Sequence, residues 1–403
     1  MPPRSRTYLK PLPIEVDGRI APPLGMSATR FLRDYWQQRP LLVRGAFADF
    51  VAPLDANDLA GLACEAIASA RIVMHDRGSD GWKLETGPFE ESRFETMPER
   101  DWTLLVQDCD KLLGEVDSLL EHFRFVPDWR VDDVMVSYAA PGGSVGAHVD
   151  LYDVFLLQAE GHRHWQIDTR ADTSRTFRED VELKMLREFA PTHAWTLAPG
   201  DMLYLPPDVP HHGVAVDHCL TCSIGMRAPS LAELMTDAAE FIADRTPEVM
   251  RLRDTTEIPA REPALIPAAV IAQVRNALRA ATVLPEDDFA DWFGAFITRY
   301  RAAHEISPPP ATPGIAQLRE ALRRGAALHR HPWSRYAWQS RDGRARLYFA
   351  GQAFDGSLQL ARLLQEGKRY AGSGLVSLTD ADWQCVHALL AAGHLVLGDA
   401  TAD

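Results

Sequence analysis

The stretch that decides the fold runs from Tyr138 to Trp165 and reads YAAPGGSVGAHVDLYDVFLLQAEGHRHW. A turn rich in Pro and Gly precedes the triplet His148-Val149-Asp150, and two strand-like runs follow it. We interpret the triplet as part of a strand, in which side chains two residues apart lie on the same face. His148 and Asp150 are therefore predicted to point toward one site.

A second stretch, from Pro199 to Pro229, has the same pattern of short apolar runs and turn residues. It reads PGDMLYLPPDVPHHGVAVDHCLTCSIGMRAP. Its short apolar runs are separated by Gly and Pro, as are those of the first stretch, and no helical period lies between them. Such a pattern predicts a double-stranded β-helix, the jelly roll of the cupin type. The predicted strands include Val131–Tyr138, Val154–Gln158, Arg163–Ile167, Met202–Leu205 and Val214–Val216.

Three side chains from the two stretches form a candidate metal site. His148, Asp150 and His211 supply two histidines and one carboxylate, the facial set that holds non-haem Fe(II) and leaves positions open for a co-substrate and O2. His212 directly follows His211, and a shifted turn would exchange the two. Spacing alone does not choose between them.

The two stretches together resemble the JmjC-type ribosomal oxygenases, and most closely their bacterial branch, the ribosomal protein arginine hydroxylases. The resemblance implies Fe(II)- and 2-oxoglutarate-dependent hydroxylation, with O2, of an arginine side chain in a large-subunit ribosomal protein. It places the ligand directly after the proline, which selects His211. Hydroxylation of a ribosomal histidine remains the alternative, because other ribosomal oxygenases share much the same core.

The resemblance also suggests which side chains bind the co-substrate and the substrate. Arg163 is predicted to pair with the distal carboxylate of 2-oxoglutarate, since a buried guanidinium donates two charge-assisted hydrogen bonds. Ser223 is a further candidate for the same molecule, whereas Ala139 replaces a serine of close relatives. Tyr152 and Asp153 are predicted to line the substrate cleft, and for Asp153 a structural strand residue is the alternative.

Three other functions fit parts of the pattern. A cupin metalloenzyme that acts on a small molecule shares the barrel but usually has a first motif richer in histidine. A histone demethylase shares the chemistry but normally carries reader or zinc modules, which we do not find in the sequence. A metal-free scaffold protein is the candidate without enzymatic activity.

Composition limits the kinds of partner and the cellular location that we expect for the protein. The 403 residues have a formal net charge of −14, which favours a basic partner over a nucleic acid. The opening residues 1–10 are polar and no apolar run is long enough to span a membrane, so a cytoplasmic protein is predicted. Five scattered cysteines are consistent with reduced thiols.

The turn-forming and helix-capping residues along the chain predict an α+β protein in three parts. Residues 1–229 form the oxygenase domain with a helix-rich start, 230–305 a helical module, and 314–403 a winged-helix-like domain. The family layout makes the module a homodimer interface, with a helical cap on the barrel as the alternative. The last predicted helix, Thr379–Ala392, contains two Asp and no Lys or Arg, so direct DNA binding is not expected.

Overall fold

The computed structural model describes residues 12–253, 264–300 and 302–398. Contacts divide the chain into two compact units, Met1–Ala228 and Pro229–Asp403. The polar opening at residues 1–10, on which the prediction of a cytoplasmic protein depended, lies outside the described residues. Within the part of the chain that is described, no helix is both long and apolar enough to cross a membrane.

The N-terminal unit consists of two sheets and a set of short helices. Its strands are β1 (Glu15–Asp17), β2 (Leu41–Arg44), β3 (Ala70–Asp76), β4 (Gly81–Thr86), β5 (Trp102–Val106), β6 (Val131–Ala139), β7 (Val154–Glu160), β8 (Arg163–Ile167), β9 (His193–Leu197), β10 (Met202–Leu205), β11 (His211–Ala215) and β12 (Cys219–Met226). Its helices are α1 (Ala28–Asp34), α2 (Ala56–Cys64), α3 (Glu91–Glu95), α4 (Cys109–Leu112) and α5 (Gly114–Asp117). The unit also contains short 3-10 helices at Gly18–Ile20, Ser118–Phe123 and Asp128–Arg130.

The larger sheet has nine strands in the order β1-β2-β10-β7-β12-β6-β5-β3-β4. The smaller sheet has three, in the order β11-β8-β9. Its strands pair antiparallel, with His211 opposite Ile167 and Ala215 opposite Arg163. These two sheets form the double-stranded β-helix that the strand pattern predicts. The N-terminal strands extend the larger sheet at both edges, which the sequence did not indicate.

Strand alternation separates two apolar clusters. On β7, Phe155 and Leu157 join a large cluster that also contains residues of the N-terminal helices, whereas Val154 and Leu156 join a smaller cluster. The smaller cluster includes Trp165 of β8 and therefore joins the two sheets. Because side chains alternate across the pleat, one strand serves both clusters. The smaller cluster supports the wall of the site described below.

The N-terminal helices begin where capping residues predict. Ser27 caps α1 by accepting a hydrogen bond from the backbone of Arg30, and Asp55 caps α2 in a reciprocal capping box with Asp58. Phe31 of α1 is fully buried in the larger cluster. Helix formation and burial are thus coupled through the apolar face of each short helix.

The C-terminal unit combines three longer helices with a smaller α/β part. The helices are α6 (Leu231–Arg245), α7 (Ala268–Ala281), α8 (Glu286–Arg299), α9 (Ile315–Arg323), α10 (Leu358–Gln365), α11 (Gly372–Leu375) and α12 (Asp380–Ala391). The strands are β13 (Ala327–Arg330), β14 (Tyr336–Arg341), β15 (Arg344–Phe349), β16 (Gln352–Gly356), β17 (Arg369–Ala371) and β18 (Leu395–Gly398). They form two sheets, β17-β13-β18 and β14-β15-β16.

The bounds of α12, Asp380–Ala391, agree closely with the predicted helix Thr379–Ala392. Ser230 caps α6 through a capping box with Glu233, and Thr379 caps α12 through one with Asp382. One face of α12 packs Trp383 and other apolar residues into the core of its unit. The division of the chain into three functional parts stays a prediction.

Candidate metal centre

Three side chains that are far apart in the sequence meet in the N-terminal unit. His148, Asp150 and His211 each offer one ligand atom, and these atoms lie within 4.8 Å of one another. Nε2 of His211 lies 3.5 Å from Oδ2 of Asp150. The structure therefore brings together the three residues that the sequence nominated as metal ligands.

The backbone around the triplet differs from the prediction. His148 is not part of a regular strand and instead forms an isolated antiparallel bridge with His211, the first residue of β11. The bridge has two backbone hydrogen bonds, of 3.0 and 2.9 Å. A single bridge is sufficient to place both side chains on the same side, because paired residues in an antiparallel ladder project together. The prediction that the triplet lies inside a strand is therefore wrong, although the shared face is present.

Each histidine is oriented by a carbonyl two residues before it. Nδ1 of His148 donates to the carbonyl of Gly146, and Nδ1 of His211 donates to the carbonyl of Val209, both at 2.9 Å. A proton on Nδ1 leaves the lone pair of Nε2 free, as a metal ligand requires. Burial, followed by the neighbouring His148, lowers the pKa of His211 to about 4, which keeps the ring neutral.

His212 lies outside this group. Its Nε2 is 3.1 Å from the hydroxyl of Ser144, and its ring meets Phe189 edge to face. Alternation along β11 turns His212 away from the side that His211 faces. The geometry therefore favours His211 over its neighbour as the third ligand.

Arg163 is a buried cation beside the three residues. Arg163 is the first residue of β8, and it is 4 % exposed. Nη1 lies 3.3 Å from the hydroxyl of Ser137 and Nη2 lies 3.5 Å from the carbonyl of Gly213, whereas Nε has no partner. Among the described ion pairs, none joins Arg163 to a carboxylate, and burial lowers the pKa of its guanidinium. A buried cation without a counter-ion is costly unless an anion binds to it.

A cavity of about 60 Å³ connects Arg163 to the three candidate ligands. Ser223 of β12 and Tyr152 also line it. The remaining lining residues are Leu105, Met135, Ser137, Val145, Val154, Leu156, Trp165 and Thr221. Apolar atoms form most of the exposed wall, and the polar side chains of the ligands, Arg163 and the hydroxyl residues share the cavity with them, as is usual for a small-molecule site.

Tyr152 and Asp153, the two predicted substrate residues, are separated by the structure. Tyr152 is 37 % exposed and lies at the cavity, whereas Asp153 is 0 % exposed and does not line it. The carboxylate of Asp153 accepts hydrogen bonds from Tyr204 at 2.6 Å and from Gln37 at 3.0 Å, and Arg130 lies 3.3 Å away. This placement corrects the expectation that Asp153 lines the cleft and agrees with the alternative of a structural residue.

Strand β6 contributes residues that sequence reasoning missed. Ser137 and Met135 line the cavity, and they pair across the sheet with Thr221 and Ser223 of β12. The alternation of β6 was a usable signal, since Val134 and Val136 are buried in the large cluster while Met135 and Ser137 occupy the other face. A serine among apolar residues on a buried face indicates a polar site.

Asp133, also on β6, is a second missed residue. Burial raises the pKa of its carboxyl to about 7. Its charge, together with that of Asp150, contributes to a raised pKa of the Tyr152 hydroxyl, after the larger effect of burial. Two aspartates, Asp150 and Asp133, therefore act on the Tyr152 hydroxyl.

Comparisons with known proteins agree with this geometry. Residues 118–234 match the JmjC domain and residues 273–396 match the ROXA-like winged helix. The ribosomal protein uL16 3-hydroxylase of Escherichia coli is 34 % identical over 300 residues, which cover 74 % of this chain and 79 % of that protein. The chain belongs to the ribosomal oxygenase family.

Solved structures of E. coli ribosomal oxygenase YcfD resemble the whole chain. One aligns with a TM-score of 0.82 and 28 % identity, covering 93 % of this chain and 99 % of the other. Another, in complex with cobalt and 2-oxoglutarate, aligns with a TM-score of 0.78 and 29 % identity over 93 % and 99 % of the two chains. This ribosomal oxygenase thus has the predicted α+β fold, a JmjC double-stranded β-helix followed by a winged helix.

Proposed function

We propose that the protein is an Fe(II)- and 2-oxoglutarate-dependent dioxygenase that hydroxylates an arginine side chain of the large-subunit ribosomal protein uL16. One observation carries the proposal: His148, Asp150 and His211 converge on a small cavity whose wall also holds the unpaired cation of Arg163. The family membership and the name of the E. coli relative support the substrate.

The donor set fits ferrous iron. Two imidazoles and one carboxylate are the facial set of non-haem iron oxygenases, and three ligands leave coordination positions for other molecules. The carbonyls of Gly146 and Val209 hold both rings with Nε2 free. When bound, iron with 2-oxoglutarate and O2 supplies the oxidising power needed to hydroxylate an unactivated carbon.

The cavity wall fits 2-oxoglutarate. Arg163 is proposed to bind the distal carboxylate, because its Nε lacks a partner and its two long contacts leave donor capacity. Ser223 and Ser137 are proposed to donate hydroxyl hydrogen bonds to the same molecule, since both line the cavity. Apolar neighbours, Trp165 among them, exclude water and strengthen the charge pairing.

Acidic groups around Tyr152 support a basic substrate. Tyr152 is the most exposed of the residues that line the cavity, and the charges of Asp150, Asp133 and Asp132 act on it. Negative charge near a site attracts a basic side chain. We therefore propose that Tyr152 receives the side chain of the target residue.

Exposed apolar residues on the helical module support a homodimer. Leu231 and Met235 are four residues apart on α6, and Ile271, Val274 and Leu278 follow a helical spacing on α7. A stripe of this kind on a surface favours association with a second copy. We propose that the module forms the dimer interface, and a cytoplasmic location for the enzyme is part of the same proposal.

Mass spectrometry tests the proposed reaction. Purified protein would be incubated with recombinant uL16, Fe(II), 2-oxoglutarate and O2, and peptides would be fragmented to locate any modification. We expect one added oxygen on an arginine together with succinate, and neither product with the His211→Ala enzyme.

Each other outcome identifies a different function. Oxygen on a histidine would identify the histidine hydroxylase, and loss of a methyl group would identify a demethylase. Iron binding with succinate formed only in the presence of a small molecule would favour a different cupin enzyme. The absence of iron binding would leave the scaffold protein.

A further inference from the structure

The turn between β10 and β11 contacts two of the proposed metal ligands. Its sequence is Pro206-Pro207-Asp208-Val209-Pro210. The backbone N–H of Asp208 donates to the carbonyl of Asp150 at 2.7 Å, and the carbonyl of Val209 accepts from Nδ1 of His211 at 2.9 Å. The position of this turn therefore influences both Asp150 and His211.

Asp208 lies at the apex of the turn in an unfavourable conformation. Its φ is 65°, in the left-handed region that residues with a Cβ adopt at a cost in free energy. Contacts with its surroundings help to hold this conformation, although aspartate adopts it more readily than most residues. Its side chain is largely exposed, so the buried core does not supply them.

Arg175 supplies the missing restraint. Its Nε donates to Oδ1 of Asp208 at 2.8 Å, and its Nη2 donates both to the carbonyl of Asp208 at 2.8 Å and to Oδ2 at 3.3 Å. Nη1 donates to the carbonyl of Thr173 at 2.8 Å, which fixes the guanidinium on its own segment. One planar group thus holds both the side chain and the backbone of Asp208.

The segment that carries Arg175 also contacts the stretch of chain that precedes His148. It joins β8 to β9, and within it the N–H of Leu186 donates to the carbonyl of Ala147, next to His148, at 2.7 Å. Met185 is buried and approaches Gly146 so closely that a Cβ there would lie 2.1 Å from its Cε. The β8–β9 segment therefore supports the ligand backbone at two places.

We propose that Arg175 is a positioning residue that holds the Asp208 turn and thereby sets the geometry of Asp150 and His211. The inference rests on the proposed function, because it concerns the ligands of the proposed metal site. An exposed ion pair usually contributes little to stability. Arg175 differs in that its contacts include the backbone of a turn bonded to two ligands, so its effect falls on metal binding rather than on folding.

Metal affinity without turnover tests the proposal. Co(II) binding by the full-length protein would be measured by calorimetry in the absence of 2-oxoglutarate and substrate. Outer residues that orient metal ligands typically change affinity by roughly 10- to 100-fold, so we expect Arg175→Met to weaken Co(II) binding by about 10-fold. The melting temperature of the metal-free protein should stay close to that of the wild type.

Arg178→Met is the matched control. Arg178 lies on the same segment but binds Asp80 at 2.8 Å and Asp180 at 2.6 Å, away from the turn. We expect wild-type affinity for this variant. Equal losses in both variants would mean that general anchoring of the segment matters, and an unchanged Arg175→Met affinity would mean that Arg175 positions nothing; either result overturns the proposal.

Two further variants make the test robust. If Arg175 acts through Asp208, the affinity of Arg175→Met with Asp208→Asn should be no weaker than that of the worse single variant, and fully additive losses would contradict the mechanism. Should Arg175→Met fold poorly, Arg175→Lys retains the charge but cannot contact the side chain and the carbonyl together, and a loss of affinity is still expected. Failure of the proposed function looks different, since wild type and His211→Ala would then bind Co(II) equally.

Discussion

His148 and His211 exchange both backbone hydrogen bonds of an isolated antiparallel bridge, with N···O distances of 3.0 and 2.9 Å. The ring centroids are 4.2 Å apart. Because the bridge couples the two backbones directly, two histidines distant in sequence become neighbours. The proposed metal centre therefore depends on one local backbone contact and on the carbonyls that orient each ring.

The choice between the adjacent histidines is the first prediction. His211→Ala should weaken Fe(II) or Co(II) binding, measured by calorimetry, by more than roughly 100-fold. Loss of a direct ligand should reduce metal affinity more than loss of a residue that only orients a ligand. His212→Ala should retain binding, since its ring contacts Ser144 and Phe189 instead. Retained binding in His211→Ala with loss in His212→Ala would move the ligand by one position.

The second prediction concerns the co-substrate. Arg163→Met should raise the 2-oxoglutarate KM by about 100-fold, because removal of a buried partner from a carboxylate typically costs several kcal/mol. Arg170→Met is the control, since Arg170 is half exposed and binds Asp168 at 2.7 Å. Succinate formation against 2-oxoglutarate concentration measures both, and an unchanged KM in Arg163→Met would exclude the assignment.

The third prediction is the oligomeric state. Light scattering of the full chain should give close to twice 44.9 kDa. Leu278→Asp, at an exposed position of α7, should shift the mass to one chain, because a charge in an apolar interface is strongly unfavourable. Val51→Asp, at an exposed position of the N-terminal unit, should not. A wild-type monomer at all concentrations would contradict the dimer.

The fourth prediction is a pH dependence of the C-terminal unit. His394 is fully buried, with Nδ1 3.0 Å from the hydroxyl of Ser334 and no partner at Nε2. Burial, with a smaller contribution from His331, lowers its pKa to about 4, against about 6.5 in an unfolded chain. The unfolded state therefore binds a proton first, and the free energy of unfolding should fall as the pH drops from about 6.5 to about 4.

The His394 contribution can be isolated by substitution. A difference of about 2.5 pKa units corresponds to about 3 kcal/mol, present above the unfolded pKa and lost as the pH falls. The free energy of unfolding would be measured by urea titration at each pH. Hydrogen exchange of the peptide that spans α12 and β18 would report on unfolding of this unit. His394→Gln should flatten the acid side of the profile, and a slope equal to that of the wild type would show that other groups are responsible.

Local signals in the sequence were sufficient for most elements. Ser27, Asp55, Ser230 and Thr379 each mark the start of a helix, because their side chains satisfy backbone N–H groups wherever the chain folds. The bounds of β8 and β10 follow equally from short apolar runs between turns. Strand β9 was missed because His193–Leu197 (HAWTL) mixes polar and aromatic residues without a clear alternation.

Long-range packing decided the site beyond its ligands. Asp153 and Asp133 look alike in the sequence, yet Asp153 joins Tyr204, Gln37 and Arg130 in the core while Asp133 accepts a hydrogen bond from the backbone N–H of Asp108. No local pattern distinguishes them, since each side chain's environment is made by strands and helices distant in the chain. The contact of Arg175 with the Asp208 turn is of the same kind.

The sequence by itself determined the β-helix, the helix starts and the pairing of His148 with Asp150, because periodicity, capping and a two-residue spacing are local properties. Only the tertiary structure decided that His211 rather than His212 faces Asp150, that Arg163 is buried without a carboxylate partner, and that Asp153 belongs to the core. These outcomes depend on which surfaces meet when the two sheets pack together, and burial then sets the charge state and the available partners of each group.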